Sequence, residues 1–185
     1  MKVSFVKTDG RRYGVYVERE TAPALWMYGP GYDDDLPHDL LHFVAEAEFG
    51  VDGGVFGDVA AGGNAKIFQP VNRALVAKMW RRKRMHKYVL PEGTRSELLA
   101  GLLEQAWKAQ RTGGGPLPGR ERLAAAGVDE ASVRALVPKL DELAARWRSL
   151  APGESMTLEW PRPEGRKHHA RRQRRRPAKP SSTAR

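Results

Sequence analysis

Alternating apolar and polar positions near the N-terminus predict a small antiparallel sheet. Residues 2–7 alternate, and after Asp9-Gly10 a second alternation runs through residues 13–18. Because side chains of a strand point to opposite faces in turn and Asp-Gly favours a tight turn, the two runs indicate a β-hairpin. Residues 24–28 predict a third strand. Residues 156–160 predict a strand that could return to the same sheet.

Apolar residues at helical spacing predict that most of the remaining chain is α-helical. Thr94 and Glu97 have the spacing of a capping box, in which the helix begins at the Thr. Pro138 should kink or divide the last helical stretch, because proline removes a backbone hydrogen bond. The predicted helical stretches are 37–49 with a stop at Gly50, a short piece at 56–61, 70–86, 94–107 and 129–150.

These patterns together favour an α+β fold with a small N-terminal antiparallel sheet and a mainly helical remainder. The sheet has about three strands, which the C-terminal strand can join. We expect residues 1–161 to form one globular domain, with a flexible Gly- and Pro-rich connection at 112–119. Apolar residues become rare after Pro161, so a disordered basic tail is expected at 162–185. A chain of 185 residues is too short for two domains of ordinary size.

Composition excludes several classes of protein. The chain has no cysteine, which excludes a disulfide scaffold, a Cys-ligated metal and a thiol nucleophile. It has no apolar run of about 18 residues, so we expect no membrane span. The first residues lack the apolar stretch of a signal peptide, and we therefore expect a cytoplasmic protein.

Positive charge is concentrated at the C-terminal end. The formal net charge is +10, but residues 162–185 contain ten of the 32 basic residues and only one of the 22 acidic ones. The folded part is therefore nearly neutral. Within it, residues 21–65 contain no Lys or Arg, yet hold eight acidic residues and two of the five histidines. A segment that excludes cations and collects carboxylates and imidazoles has the composition of a metal site.

The two histidines of this segment stand at helical spacing. His38 and His42 are four residues apart on a predicted helix, so they share a face and could both ligate one metal ion. Glu46 follows one turn later and is a candidate third ligand or a partner of a ligand. In the H-E-x-x-H motif of zinc proteases the general base is a Glu, but here Asp39 takes its place, which argues against a peptidase. The alternative is that this face is simply polar and structural.

The run His38-Asp39-Leu40-Leu41-His42, with Asp58 further on, resembles the metal motif of the Coq-four-type ubiquinone-biosynthesis family. The resemblance implies a helical zinc protein that acts on or presents polyprenylated quinone precursors. It also implies that His38, Asp39 and His42 are ligands and that Asp58 is the distal acid. The segment 36–44 is also similar to that of small actinobacterial proteins with no assigned activity.

The leading hypothesis is therefore a divalent-metal site, zinc first, in a protein whose reaction the sequence does not specify. The alternative is a module without catalysis that associates with nucleic acid or another polyanion through the tail and a basic patch. Arginine-rich segments bind phosphates through counterion release, and aromatic residues near the patch could stack on bases. The basic residues concerned are Lys78, Arg81, Arg82, Lys83 and Arg84 in the patch, and Arg171, Arg172, Arg174, Arg175 and Arg176 in the tail. A third possibility is a scaffold that contacts another protein.

Overall fold

A single antiparallel sheet contains the strands of both chain ends. The computed structural model describes residues 1–29, 35–72, 74–75, 90, 92–113 and 119–161. Within these ranges the sheet has five strands in the order β4-β3-β2-β1-β5. They are β1 (Lys2–Lys7), β2 (Tyr13–Glu18), β3 (Leu25–Tyr28), β4 (Gln69–Pro70) and β5 (Ser155–Glu159).

The register of the strands places the alternating apolar residues on one buried face. Phe5 of β1 stands opposite Val15 of β2 on one side and Met156 of β5 on the other. All three side chains are buried. The predicted hairpin is present, and its connection is a short 3-10 turn, Asp9–Arg11, in which Gly10 adopts a positive φ of 69°.

Six helices lie wholly within the described ranges. The first, α1, ends at Gly50, whose left-handed φ of 73° closes the helix as a glycine allows. The division of the last helical stretch near Pro138 is confirmed, because α5 ends at Ala135 and α6 begins at Val137. The helices are α1 (His38–Phe49), α2 (Val55–Ala60), α3 (Gly93–Arg111), α4 (Arg120–Ala126), α5 (Glu130–Ala135) and α6 (Val137–Ser149).

Helix α1 is enclosed by other elements on all sides. Every residue from 39 to 46 is buried, although a helix at the surface would expose about half of them. Phe43 faces the sheet, with its ring centroid 6.3 Å from that of Phe5 and 5.5 Å from that of Trp160. It also lies 5.3 Å from the ring of Phe56 in α2, and α3 packs along α1. The polar groups of α1 are consequently buried with it and need partners inside the protein.

The expected α+β class is confirmed, and so is the return of the C-terminal strand to the sheet. The predicted capping box is wrong: α3 already begins at Gly93, so Thr94 lies within the helix and Glu97 is free for another contact. Strand β4 and helix α4 had no strong local signal and were not predicted. The predicted helix 70–86 begins too early, because Pro70 belongs to β4 and residues 71–72 are not helical. Most of the rest of it lies outside the described residues, as does the predicted tail. In the part of the chain that the structure describes, each helix is too short or too polar to cross a bilayer.

Close packing at the start of α2 requires a residue without a side chain. A Cβ atom on Gly57 would overlap the backbone carbonyl of Asp52, which cannot swing aside as a side chain would. We expect Gly57→Ala to lower the free energy of unfolding by about 2 kcal/mol, in the range of overpacked sites. Urea denaturation followed by circular dichroism measures it.

Gly101→Ala is the matched control. Gly101 lies inside α3, and a Cβ there would meet only the end of the Arg122 side chain at 3.6 Å. Because alanine favours helix, this variant should be more stable than the wild type by about 0.5–1 kcal/mol. Equal effects of the two substitutions would contradict the packing described at Gly57.

Candidate metal centre

Three side chains from two packed helices meet at the start of α1. His38 and His42 lie one turn apart on α1, and Glu97 lies on α3, which packs beside it. The Nε2 atoms of the two histidines are 3.2 Å apart, and Nε2 of His42 is 3.4 Å from Oε2 of Glu97. All three potential ligand atoms lie within 4.8 Å of one another.

These separations suit a tetrahedrally coordinated metal ion. Ligand atoms bound at 2.0–2.1 Å in a tetrahedron are about 3.4 Å apart. The two distances that involve Nε2 of His42 match this value without any rearrangement. The side chain of Glu97 is 68% exposed, so its carboxylate can rotate to adjust its distance from His38.

His42 is the buried member of the group, and its second ring nitrogen is bound inside the protein. Nδ1 of His42 lies 2.8 Å from Oγ of Ser96, a fully buried residue of α3. Burial lowers the pKa of His42 below its usual value, and the charge of Glu97 opposes this effect. The ring is therefore neutral near pH 7, the state in which an imidazole binds metal.

The arrangement Ser96–His42–Glu97 contains the residue types of a hydrolytic triad but does not suit nucleophilic catalysis. A nucleophilic serine must be reachable by substrate and must give its proton to the histidine. Ser96 has no exposed surface. Its hydroxyl group instead donates to Glu46, with Oγ 2.5 Å from Oε1.

Glu46, a predicted candidate ligand, lies in the core and binds elsewhere. Its Oε1 accepts hydrogen bonds from the N–H of Val55 at 2.6 Å and from the hydroxyl of Ser96 at 2.5 Å. Its Oε2 accepts from the N–H of Phe56 at 2.8 Å and of Gly57 at 3.0 Å. The carboxylate thus caps the first turn of α2, whose N–H groups have no partner within the helix. It is not in the group of three ligand atoms.

Asp58, the other predicted candidate for the third position, is also occupied locally. Its Oδ2 accepts a 2.8 Å hydrogen bond from the N–H of Ala65, and its backbone carbonyl accepts one of 2.8 Å from the N–H of Gly63. These bonds hold the turn that follows α2. The structure does not bring Asp58 together with the two histidines.

Asp39, predicted as a ligand or an orienting residue, is buried beside the two histidines and bound to the sheet. Its Oδ2 accepts a 2.5 Å hydrogen bond from the hydroxyl of Tyr13 in β2. Burial raises the pKa of Asp39 above its usual value, although the Tyr13 hydrogen bond and the nearby histidines oppose the rise. Asp39 thus attaches the start of α1 to the sheet and is not one of the three grouped ligands.

Glu97 is the ligand candidate that sequence analysis missed. It is 55 positions after His42, and its spacing from Thr94 indicated a capping role. The basic patch residues Lys78 to Arg84 and the tail arginines lie outside the described residues. The nucleic-acid hypothesis therefore stays a prediction from the sequence.

Comparisons with known proteins give no relative for this chain. No protein-family model matches it, and no curated protein or solved structure matches it significantly. The two family resemblances of the His-Asp segment stay predictions from the sequence. The site must therefore be interpreted from its own chemistry.

The Tyr13–Asp39 hydrogen bond yields a first prediction for this region. Tyr13→Phe leaves a buried carboxyl group without its hydroxyl partner, at a cost of about 1–3 kcal/mol. We expect the free energy of unfolding to fall by that amount in chemical denaturation. Tyr28→Phe is the control, because Tyr28 is 72% exposed and its loss of a hydroxyl should change stability by less than about 0.5 kcal/mol.

The buried carboxyl of Glu46 yields a pH dependence of stability. Burial raises its pKa to about 7 from 4.5, against the lowering effect of its hydrogen bonds. Between these values the folded chain binds the proton and the unfolded chain does not. The contribution of Glu46 to the free energy of unfolding is therefore complete below about pH 4.5 and decreases as pH rises. Above about pH 7 it is lost, a decrease of about 3 kcal/mol in total.

Unfolding of the wild type and of Glu46→Gln across pH 4.5–8 measures this effect. Because the amide does not titrate, the free energy of unfolding of the wild type should fall relative to that of Glu46→Gln as pH rises. For Glu121→Gln, at an exposed position on α4, the difference from the wild type should stay nearly constant. A difference between the wild type and Glu46→Gln that stays constant across this pH range would mean that Glu46 has an ordinary pKa in the folded chain.

Proposed function

We propose that this protein binds a divalent transition-metal ion, zinc first, through Nε2 of His38, Nε2 of His42 and the carboxylate of Glu97. The observation that carries the proposal is the separation of 3.2 Å and 3.4 Å between these ligand atoms. Two imidazole nitrogens at such a distance must either form an N–H···N hydrogen bond or bind the same cation. The carboxylate beside them supplies the negative charge that favours a cation.

The ligand types support zinc over the common alkaline-earth ions. Mg²⁺ and Ca²⁺ select oxygen ligands, whereas imidazole nitrogen suits Zn²⁺, Fe²⁺ and related ions. Two histidines with one glutamate are also the ligand set of several catalytic zinc sites. The Coq-four-type resemblance points to zinc as well, although its distal acid, Asp58, is replaced in this proposal by Glu97.

Three protein ligands leave a fourth position open on a tetrahedral ion. Because Glu97 is exposed and His38 is partly exposed, an ion held by these residues would be reachable from the protein surface. A structural zinc site is usually closed by four protein ligands, whereas an open one binds water or substrate. The proposed site therefore supports metal-assisted hydrolysis or a lyase-type reaction better than a purely structural role.

Zinc binding by the full, untagged chain tests the proposal. Isothermal titration calorimetry of the wild type should give one site with a Kd on the order of 1 μM or below. His38→Ala and Glu97→Gln should each weaken it by about 100-fold or more, since each loses a direct ligand. Both side chains are at least partly exposed, so neither substitution should unfold the chain.

Two controls separate this site from other zinc-binding groups. Glu104→Gln makes the same charge change on the same helix, two turns from Glu97, and should leave the affinity unchanged. His168→Ala/His169→Ala removes the one pair of consecutive histidines in the sequence and should also have no effect on zinc affinity. Loss of zinc binding in the tail variant but not in His38→Ala would overturn the proposal.

A further inference from the structure

A buried chain of hydrogen bonds leads from the proposed metal ligand His42 into the core. His42 Nδ1 lies 2.8 Å from Ser96 Oγ, and Ser96 Oγ lies 2.5 Å from Glu46 Oε1. All three residues are buried, and they belong to α1 and α3. Neither Ser96 nor Glu46 is among the grouped ligand atoms. Their contacts point to a role in orienting the ligand.

The direction of each hydrogen bond follows from the partners of Glu46. An ionised carboxylate accepts about four hydrogen bonds and donates none. Three N–H groups of the first turn of α2 and the hydroxyl of Ser96 supply four donors. When Glu46 is ionised, Ser96 therefore gives its only proton to Glu46, and the oxygen of Ser96 can only accept from His42.

We propose that Ser96 and Glu46 are positioning residues that hold His42 as the Nδ1–H tautomer, with the lone pair of Nε2 directed at the metal position. A histidine that ligates metal through one nitrogen must carry its proton on the other, and a partner for that proton sets the ring orientation. The inference deepens the proposed function and rests on it for the metal, but the tautomer can be measured in the metal-free chain.

Two neighbours of His42 Nε2 have opposite effects on which nitrogen of His42 carries the proton. His38 Nε2, at 3.2 Å, can donate to it and so also favours a proton on Nδ1. Glu97 Oε2, at 3.4 Å, would accept from it and favours the other tautomer, but Glu97 is exposed and its charge is screened by solvent. The contribution of Ser96 is therefore isolated in a chain that lacks His38.

The space around the carboxylate supports a fixed orientation of this chain of bonds. A Cβ on Gly54 would overlap the carboxylate of Glu46, so the backbone of the loop before α2 lies against it. The carboxylate cannot rotate away from Ser96 without losing the N–H donors of α2. Ser96 thus has one arrangement in which every buried polar group is satisfied.

Nitrogen-15 NMR of the imidazole rings in the full, metal-free chain tests the inference at pH 8, where Glu46 is ionised. The two tautomers have well separated ring-nitrogen shifts, and His42 is identified by its loss in a His42→Ala spectrum. In the His38→Ala chain, we expect His42 to remain protonated on Nδ1. In His38→Ala/Ser96→Ala it should change to a mixture or to the Nε2–H form. His38→Ala/Ser149→Ala, at an exposed serine of α6, should keep the Nδ1–H form.

Zinc affinity supplies the second readout. With His38 intact, Ser96→Ala should weaken zinc binding by about 10- to 100-fold, as is usual for loss of a group that orients a ligand, and Ser149→Ala should not. Protonation of His42 on Nε2 in the His38→Ala chain would overturn the inference, and this measurement does not depend on whether a Ser96 variant folds. An unchanged zinc affinity in a folded Ser96→Ala chain would also overturn it.

The two proposals fail in different ways. If the wild type shows the Nδ1–H tautomer under control of Ser96 but binds no zinc, the proposed function is wrong and the orienting contacts are supported. If the wild type binds zinc through His38, His42 and Glu97 but the tautomer of His42 does not depend on Ser96, the proposed function is supported and the positioning role of Ser96 is wrong.

Discussion

The carboxyl group of Glu46 is the buried polar group around which the helical layer is arranged. It stands on α1, receives three backbone N–H groups from the start of α2 and one hydroxyl group from α3. A buried carboxyl group is tolerated only when its hydrogen-bonding capacity is satisfied. Any displacement of α2 or α3 relative to α1 would remove one of these donors. Because hydrogen bonds are directional, this requirement restricts the relative positions of the three helices more than apolar contacts alone could do.

The candidate metal centre depends on the same contacts. Ser96, which donates to Glu46, is adjacent in sequence to Glu97 and lies against the ring of His42. The docking of α3 on α1 therefore places both Glu97, the third candidate ligand, and Ser96, the partner of the second candidate ligand. On the other side of α1, Asp39 is bound to Tyr13 of the sheet. The start of α1 is thus held from two directions, so the two histidine rings need little rearrangement to bind an ion.

Local patterns predicted the parts of the site that lie on one helix. The spacing of His38 and His42 follows from helical geometry, and Gly50 marks the end of α1. The same patterns left the role of Glu46 open between ligand and partner of a ligand, and they missed Glu97. The contacts that decide both roles join α1 to α2 and α3, and those with α3 span 50 or more positions of sequence. Glu46 lies one turn after His42 on α1. Because residues 39–46 of α1 are all buried, its carboxyl group binds donors of α2 and α3 instead. Helix α4 and the two-residue strand β4 lack a local signal, since tertiary packing defines them.

By itself, the sequence determined the α+β class, the strands of both chain ends, the helix that carries the two histidines and the concentration of charge in the last residues. Each of these follows from hydrophobic periodicity or composition, which are properties of neighbouring residues. Only the tertiary structure decided which acid joins the histidines. A carboxylate can serve as a ligand, a helix cap or a surface charge, and the same side chain chemistry suits all three. The role of each carboxylate depends on the donors and the solvent that surround it after folding. Glu46 accepts from buried N–H groups of α2, Asp58 accepts from an N–H of the turn after α2, and Glu97 lies beside the two imidazoles.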